Sequence, residues 1–503
     1  MPLHRSGPAA AGPPRRRDLA VNPLHTTPSA RPVPRDALPP GGMDPREAAR
    51  IVRDELLLDG NARLNLATFV TTWMEPEAEE LMASVFDKNM IDKDEYPQTA
   101  ELEKRCVAIL GRLWHAEPAP RTDDAVDAPP AAAGVDPTGD DPGPTRAVGC
   151  STTGSSEAAM LAGLALKRRW EARRRAAGQP TDRPNIVMGA NVQVCWDKFA
   201  RYWDVEPRLV PMEGERFHLD AETAVARCDE RTIGVVGILG STFDGSYEPI
   251  AEIAAALDAL QERTGIDVPL HVDAASGGFV APFLDPDLVW DFRLPRVASI
   301  NASGHKYGLV YPGVGWALWR DASALPEELV FRVSYLGGEM PTFALNFSRP
   351  GAQVVAQYYQ FVRLGFDGYR RVQQASRDTA MLLADGFEAT GAFRALTRGD
   401  ELPVFAVTLA DDVDAFSVYD VSATLRERGW LVPAYPFAEG REDLHVLRVV
   451  VRNGFSADLA DLLLRDVGRA VARLGRQPAP VRGAEHADFS HGAHRTGAAP
   501  AAG

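Results

Sequence analysis

Cysteine is scarce in this chain, with four residues in 503 (Cys106, Cys150, Cys195, Cys228). None form a CxxC pair, which argues against both a disulfide framework and a thiolate metal site and points to reduced thiols. No HExxH pattern occurs among the ten histidines, so a zinc site is not expected. No apolar run reaches the ~20 residues of a membrane span. The arginines near the start are followed by no apolar h-region. Together these absences predict a cytoplasmic protein with no integral membrane segment. Basic charge is also short. The formal net charge of −15 argues against nucleic acid as the main partner. What remains is an ordinary globular composition, in a chain too long for a single core.

Residues 1–42 hold ten prolines and six arginines against two aspartates, a segment too polar to offset its ordering entropy and read as a disordered Pro/Arg-rich tail. Residues 43–116 read as an N-terminal helical segment. Its helices are expected over 44–59, 75–88 and 99–113, the last with Leu102, Cys106, Ile109 and Leu113 on one face. Seven acids and seven prolines mark 117–145 as an insertion or linker. From 146 to 350 short apolar runs alternate with amphipathic helices. The candidate strands are 185–188, 206–211, 233–239, 269–272, 299–302 and 315–319, and a helix is expected over 250–263. This alternation predicts an α/β domain with a mostly parallel sheet. Residues 351–476 read as a small C-terminal α/β domain. It has a long, interrupted helical stretch over 352–388, strands at 404–409 and 445–451, and a last helix capped by Ser456. Residues 477–503 read as a flexible tail.

Three short motifs carry chemistry. Gly154-Ser155-Ser156-Glu157 opens a helix, where unpaired amides and the helix dipole suit a phosphate. A Ser/Glu start is more commonly only a capping box. Next, the apolar run 269–272 ends in Asp273, followed by Ala274-Ala275-Ser276. An acid at the carboxyl end of a parallel strand lies where such sheets bind ligands, and can pair with a protonated pyridine nitrogen. It can equally be a helix cap. Finally, Ser303-Gly304-His305-Lys306 follows the apolar run 297–300. A lysine there can bond an aldehyde covalently, because burial lowers the pKa of its amine. Lone loop lysines are usually solvated charges. In sequence order, phosphate helix, Asp strand and Lys loop form a joint signal for pyridoxal 5′-phosphate.

These motifs lie within longer stretches: LDGNARLNLATF, DKDEYPQTAELEKRC, NVQVCWDKFARYWDVE, HVDAASGGF, WDFRLPRVASINASGHKYGL and NFSRPGAQVVAQYY. In these the chain, from about Asp59 to Gly475, resembles the bacterial glutamate decarboxylases, group II pyridoxal-phosphate decarboxylases of fold type I. The resemblance implies a large cofactor domain with a mostly parallel sheet, an N-terminal helical segment and a small C-terminal domain. It implies α-decarboxylation of L-glutamate to 4-aminobutyrate and CO₂, with one proton consumed. That stoichiometry suits glutamate catabolism or acid resistance. It assigns Ser155 and Ser156 to the phosphate, Gln193 to one ring face, Thr242 to the ring hydroxyl, Asp273 to the ring nitrogen and Ala275 to the other face. Ser303 and His305 fall on the phosphate side, and Lys306 is the covalent anchor. Thr68 and Phe69, with Asp92 from the partner subunit, resemble the pocket for the side-chain carboxylate, and Arg448 the holder of the α-carboxylate. The minimal unit it implies is a homodimer, extending to a hexamer. Asp197 stands where the family commonly has histidine. Two alternatives are a decarboxylase for aspartate or aromatic amino acids, and a catalytically silent scaffold. Thr68, Phe69 and Asp92 argue against the first, and Lys306, Asp273 and Arg448 together against the second.

The segment Ala487-Asp488-Phe489-Ser490-His491 resembles the family's terminal stretch, where a histidine closes the site as pH rises. Histidine titrates near neutrality, so a weakly docked tail can be switched by its charge. Deleting residues 484–503 should therefore let activity persist to higher pH. Superimposable pH profiles of the full-length and truncated enzymes would rule out gating by His491.

Overall fold

The computed structural model describes residues 34–119, 145–333, 340–476 and 481–483. Most of the proline-rich start, most of the acidic insertion, and the tail with His491 lie outside these residues. The chain divides into two units, Met1–Gly60 and Asn61–Gly503. The first holds one described helix, α1 (Pro45–Leu56), with proline at its first position and the Asp44 side chain capping the Arg46 amide.

The second unit is built on a seven-stranded sheet: β1 (Val148–Thr152), β2 (Asn185–Gly189), β3 (Glu206–Val210), β4 (Thr232–Ile238), β5 (Leu270–Asp273), β6 (Val297–Ala302) and β7 (Gly315–Trp319). Their spatial order is β1-β7-β6-β5-β4-β2-β3, and β7 alone pairs antiparallel to its neighbours. The strands from β3 across to β6 are parallel. The helices of this unit are α2 (Pro76–Ser84), α3 (Pro97–Leu113), α4 (Ser155–Ala176), α5 (Val194–Tyr202), α6 (Ala221–Ala226), α7 (Ile250–Thr264), α8 (Ala281–Leu284), α9 (Ala352–Glu388), α10 (Val418–Arg426) and α11 (Ala457–Leu474). The period-2 alternation of a strand puts Ile186 and Met188 in one layer with Trp170, Trp196 and Phe199, and Val187 in the opposite layer with Ile253 and Leu257. Both faces of the sheet are therefore covered, as the nearly continuous apolar strands require.

A short hairpin, β8 (Phe331–Val333) and β9 (Met340–Thr342), follows the large sheet. A second, antiparallel sheet of order β10-β11-β13-β12 uses β10 (Phe393–Ala395), β11 (Val404–Leu409), β12 (Ala434–Pro436) and β13 (His445–Val450). It packs with α9, α10 and α11 around Phe387, Phe405, Trp430 and Leu463. Truncating a fully buried ring such as Phe387 to alanine would cost about 3–5 kcal/mol. Among the described residues no helix is long and apolar enough to cross a membrane.

Several boundaries differ from the sequence reading. Helix α2 ends at Ser84 rather than at Lys88, because β-branched Val85 leaves the helical region at φ −128°. Strand β1 is absent from that reading; its VGCST has no apolar run, and it is a strand only because it pairs with β7. It is also tied to α3, where Glu103 Oε1 accepts from the Ser151 amide at 2.9 Å and from Arg349 at 3.0 Å in a buried cluster. The break expected within 352–388 is at Gly365, in the left-handed region at φ 58°. Ser456 occupies the cap position of α11, but its side chain makes no capping bond.

At the start of β7, a Cβ on Gly315 would lie 2.5 Å from the Gly154 carbonyl carbon and 2.7 Å from the Ser155 amide nitrogen, so a methyl there must displace the start of α4. Gly315→Ala should therefore weaken pyridoxal-phosphate affinity at least about tenfold, or about 1.4 kcal/mol. Equilibrium dialysis measures this, and an unchanged dissociation constant would contradict it.

Candidate active site

The predicted cofactor residues lie at or just beyond the carboxyl ends of the large sheet's strands, as expected of a doubly wound sheet. Strand β1 leads to Gly154 and α4, β2 to Gln193 at the cap of α5, β4 to Thr242, β5 ends in Asp273, and β6 leads to Ser303 and Lys306. At the start of α4, Gly154 has no side chain to cap the helix. Glu157 instead reaches back to the Thr153 amide at 2.8 Å and across to the Leu345 amide at 2.9 Å. No acceptor within the described chain takes the Ser155 or Ser156 amide. Ser303 Oγ donates to Ser155 Oγ at 2.7 Å. His305 packs against the same turn, since a Cβ on Gly154 would lie 2.9 Å from His305 Cε1. Its Nδ1 is buried with no hydrogen-bond partner among the described residues. Burial, reinforced by neighbouring Lys306, pushes the imidazole pKa down to about 4.

Asp273 is buried and holds three donors. Trp196 Nε1 reaches Oδ2 at 2.8 Å; Asn301 Nδ2 and the Ala275 amide reach Oδ1 at 2.9 and 3.1 Å. Lys306 Nζ lies 3.3 Å from Ser276 Oγ and 5.2 Å from the centroid of the Phe69 ring. Burial lowers the lysine pKa, Asp273 and Cys195 oppose that, and Arg448 adds to it. On the other side, Arg448 stands 4.9 Å from the Phe69 centroid. Phe69 thus lies within reach of two cations, in contact through the ring quadrupole. Arg448 donates to the Thr242 carbonyl at 2.6 Å and to the Ala67 carbonyl at 2.5 Å. Burial lowers its pKa.

The segment carrying Thr68 and Phe69 is clamped to the lysine loop. The Thr71 amide donates to the His305 carbonyl at 2.8 Å, and Thr71 Oγ1 to the Lys306 carbonyl at 2.6 Å. Arg452 holds the same segment through the Asn65 and Val70 carbonyls. Thr68 Oγ1 accepts from the Val70 amide, a local turn rather than a helix cap. Asp92 lies in a turn before α3, half-buried, and no hydrogen bond or ion pair within the described chain joins it to Thr68, Phe69 or Arg448.

Comparison with known proteins bears directly on this arrangement. Residues 39–408 match the pyridoxal-dependent decarboxylase conserved domain. The chain belongs to the pyridoxal-dependent decarboxylase family. Among the family's members it is 50% identical over 496 residues to a glutamate decarboxylase of Aliivibrio fischeri, covering 98% of this chain and 100% of that protein. It is 49% identical to a glutamate decarboxylase of Solanum lycopersicum, over 90% of this chain and 87% of that one. The solved glutamate decarboxylase of Lactobacillus brevis superposes with a TM-score of 0.81 at 47% identity, covering 89% of this chain and 96% of that structure.

The residues fit the family's cofactor, pyridoxal phosphate. Two amides without acceptors, a serine pair and a partnerless buried imidazole nitrogen suit phosphate oxygens. A buried carboxylate at the strand end suits a ring N–H, and an enclosed amine suits an aldehyde. Ser156 is exposed, Gln193 and Ala275 are half-buried, and Thr242 contributes its carbonyl to Arg448. Asp197 lies in the first turn of α5, beside Trp196. Sequence reasoning missed Trp196, Asn301, Ser276 and Thr71 as site residues. Trp196 was recoverable, since it sits three positions after Gln193 at a helix start, whereas Asn301 and Thr71 are brought in only by tertiary pairing.

His305 also gives a pH prediction. Its folded pKa, about 4, lies below the ordinary value of 6.5. Between those values the unfolded chain binds a proton that the folded chain refuses. Its contribution to stability is thus fully present above pH 6.5 and is lost as pH falls toward 4. Urea midpoints of the wild type should fall across that window more steeply than those of His305→Gln, and parallel curves would contradict the assignment.

Proposed function

We propose that this chain removes the α-carboxyl group of L-glutamate, giving 4-aminobutyrate and CO₂, in the cytoplasm. What supports this most is near-full-length identity of 50% to a glutamate decarboxylase, in a chain whose Lys306 also lies close enough to Asp273 for their charges to interact. When bound, pyridoxal phosphate supplies an aldehyde that condenses with amines and an electron-poor ring that accepts the electron pair of a breaking Cα bond.

The chain's own residues do the rest. The amides of Ser155 and Ser156, with Ser303 and His305, anchor the phosphate. Gln193 and Ala275 flank the ring, Thr242 lies beside its hydroxyl, and Asp273 keeps the proton on the ring nitrogen. Lys306 is the covalent anchor; its lowered pKa favours the free amine that such bonding needs. Arg448 binds the α-carboxylate and so orients the bond to be broken. Thr68 and Phe69, with Asp92 of the partner subunit, take the side-chain carboxylate, which makes a homodimer the minimal unit. A proton then replaces the carboxylate on Cα, so each turnover consumes one proton, as glutamate catabolism or acid resistance would use.

The test measures CO₂ release from a panel of glutamate, aspartate and aromatic amino acids, alongside borohydride reduction. Glutamate should be preferred, the cofactor should be fixed to the peptide containing Lys306, and Lys306→Ala should lose turnover. Labelling of another lysine, or preference for another amino acid, would overturn the assignment.

A further inference from the structure

Below Asp273 a chain of hydrogen bonds runs deeper into the sheet. Asn301 Nδ2 donates to Asp273 Oδ1 at 2.9 Å; Asn301 Oδ1 lies 2.7 Å from His271 Nε2; His271 Nδ1 lies 2.8 Å from Ser299 Oγ. All four side chains are buried. They form two rungs of one ladder, since β5 and β6 pair His271 with Ser299 and Asp273 with Asn301. Residues two apart on a strand share a face, so the four polar groups meet on one side of the sheet.

Chemistry sets the direction of each bond. A carboxylate only accepts, so the Asn301 atom facing Asp273 is its NH₂ and its oxygen faces His271. An oxygen facing Nε2 requires a hydrogen there. The other groups acting on the imidazole are the Trp196 ring, 5.2 Å between centroids, the backbone of Ser299, and the charge of Asp273. Burial lowers the imidazole pKa more than Asp273, Asn301 and the Ser299 backbone together raise it. A neutral ring with hydrogen on Nε2 has a bare Nδ1, which accepts from the Ser299 hydroxyl.

We infer that His271 is a positioning residue: as the neutral Nε2–H tautomer it locks the Asn301 amide, which in turn fixes the Asp273 carboxylate toward the cofactor's ring nitrogen. Turning the amide over would set its oxygen against Asp273 and its NH₂ against the His271 N–H. Locked, it gives Asp273 Oδ1 two donors, with the Ala275 amide, and leaves Oδ2 with Trp196 alone. Oδ2 therefore keeps the lone pair that a ring N–H needs. The inference rests on the assignment of Asp273 to the ring nitrogen, but the tautomer can be measured without it.

The test uses the holoenzyme labelled with ¹⁵N at histidine, in solid-state NMR, with His271→Gln identifying the resonances. The expected signal is a protonated Nε2 and a bare Nδ1, constant between about pH 5 and about pH 8, where an ordinary histidine titrates. An imidazolium, or hydrogen on Nδ1, would overturn the inference. A second measurement is cofactor dissociation. A glutamine side-chain amide can still donate to Asn301, so His271→Gln should hold the cofactor within about threefold of wild type. His271→Leu should release it at least about tenfold more readily, a loss of about 1.4 kcal/mol, and shift the visible absorption band. Equal affinity in the two variants would refute the role. If His271→Leu does not fold, Ser299→Ala, which removes the donor to Nδ1, must move the same resonance, and an unmoved signal counts against the chain of bonds. Failure of the Asp273 assignment looks different, with Asp273→Asn active while the tautomer is intact.

Discussion

A carboxylate taken out of water at the end of a parallel strand must find donors, and much of the site is arranged around that requirement for Asp273. Unpaired, it would be costly to bury. Its three donors come from three elements: a tryptophan in the first turn of α5, an asparagine on β6, and the backbone just after β5 itself. Each bond fixes the relative placement of neighbouring parts. Trp196 holds α5, and with it Gln193 at the cap, against the strand. Asn301 locks the end of β6, from which the lysine loop departs two residues later. The same contacts that make the buried charge tolerable therefore gather groups from separate parts of the chain around one carboxylate.

The second constraint is cationic. Arg448 and Arg452 project from β13 and just beyond it and spend donors on the carbonyls of residues 65–70, while Thr71 ties that segment to the lysine loop. Backbone carbonyls, not carboxylates, absorb much of this charge. Burial lowers the pKa of Arg448, and that of Arg452 to about 10. The Phe69 ring lies close to both Arg448 and Lys306. A flat apolar group there excludes water while still presenting a favourable face to each cation.

The large sheet was largely legible in sequence, and six of its seven strands were placed within two residues at each end. Strand β1 was not, because Gly149, Cys150 and Ser151 carry no strand signal and their partners, Leu318, Ala317 and Trp316, lie far along the chain in β7. The helix starting at Ser155, the acid ending β5 and the lysine after β6 were visible because each sits at a junction between an apolar run and small residues. Their mutual distances were not, since those depend on sheet order. The donors to Asp273 were hidden for the same reason. An asparagine inside an apolar strand looks like an interruption until its register partner is known. His491 falls outside the described residues, and its role rests on resemblance alone.

The acidic insertion bears on a different property. Its two ends meet, with Pro118 bridged to Thr145 and the Arg146 amide bonded to the Glu117 carbonyl at 2.7 Å. The chain therefore leaves the fold after α3 and re-enters it before β1 at one point, closed by described residues on both sides. That tie sets where β1 begins along β7, so the edge strand of the large sheet is anchored from its own entry point as well as by its pairing.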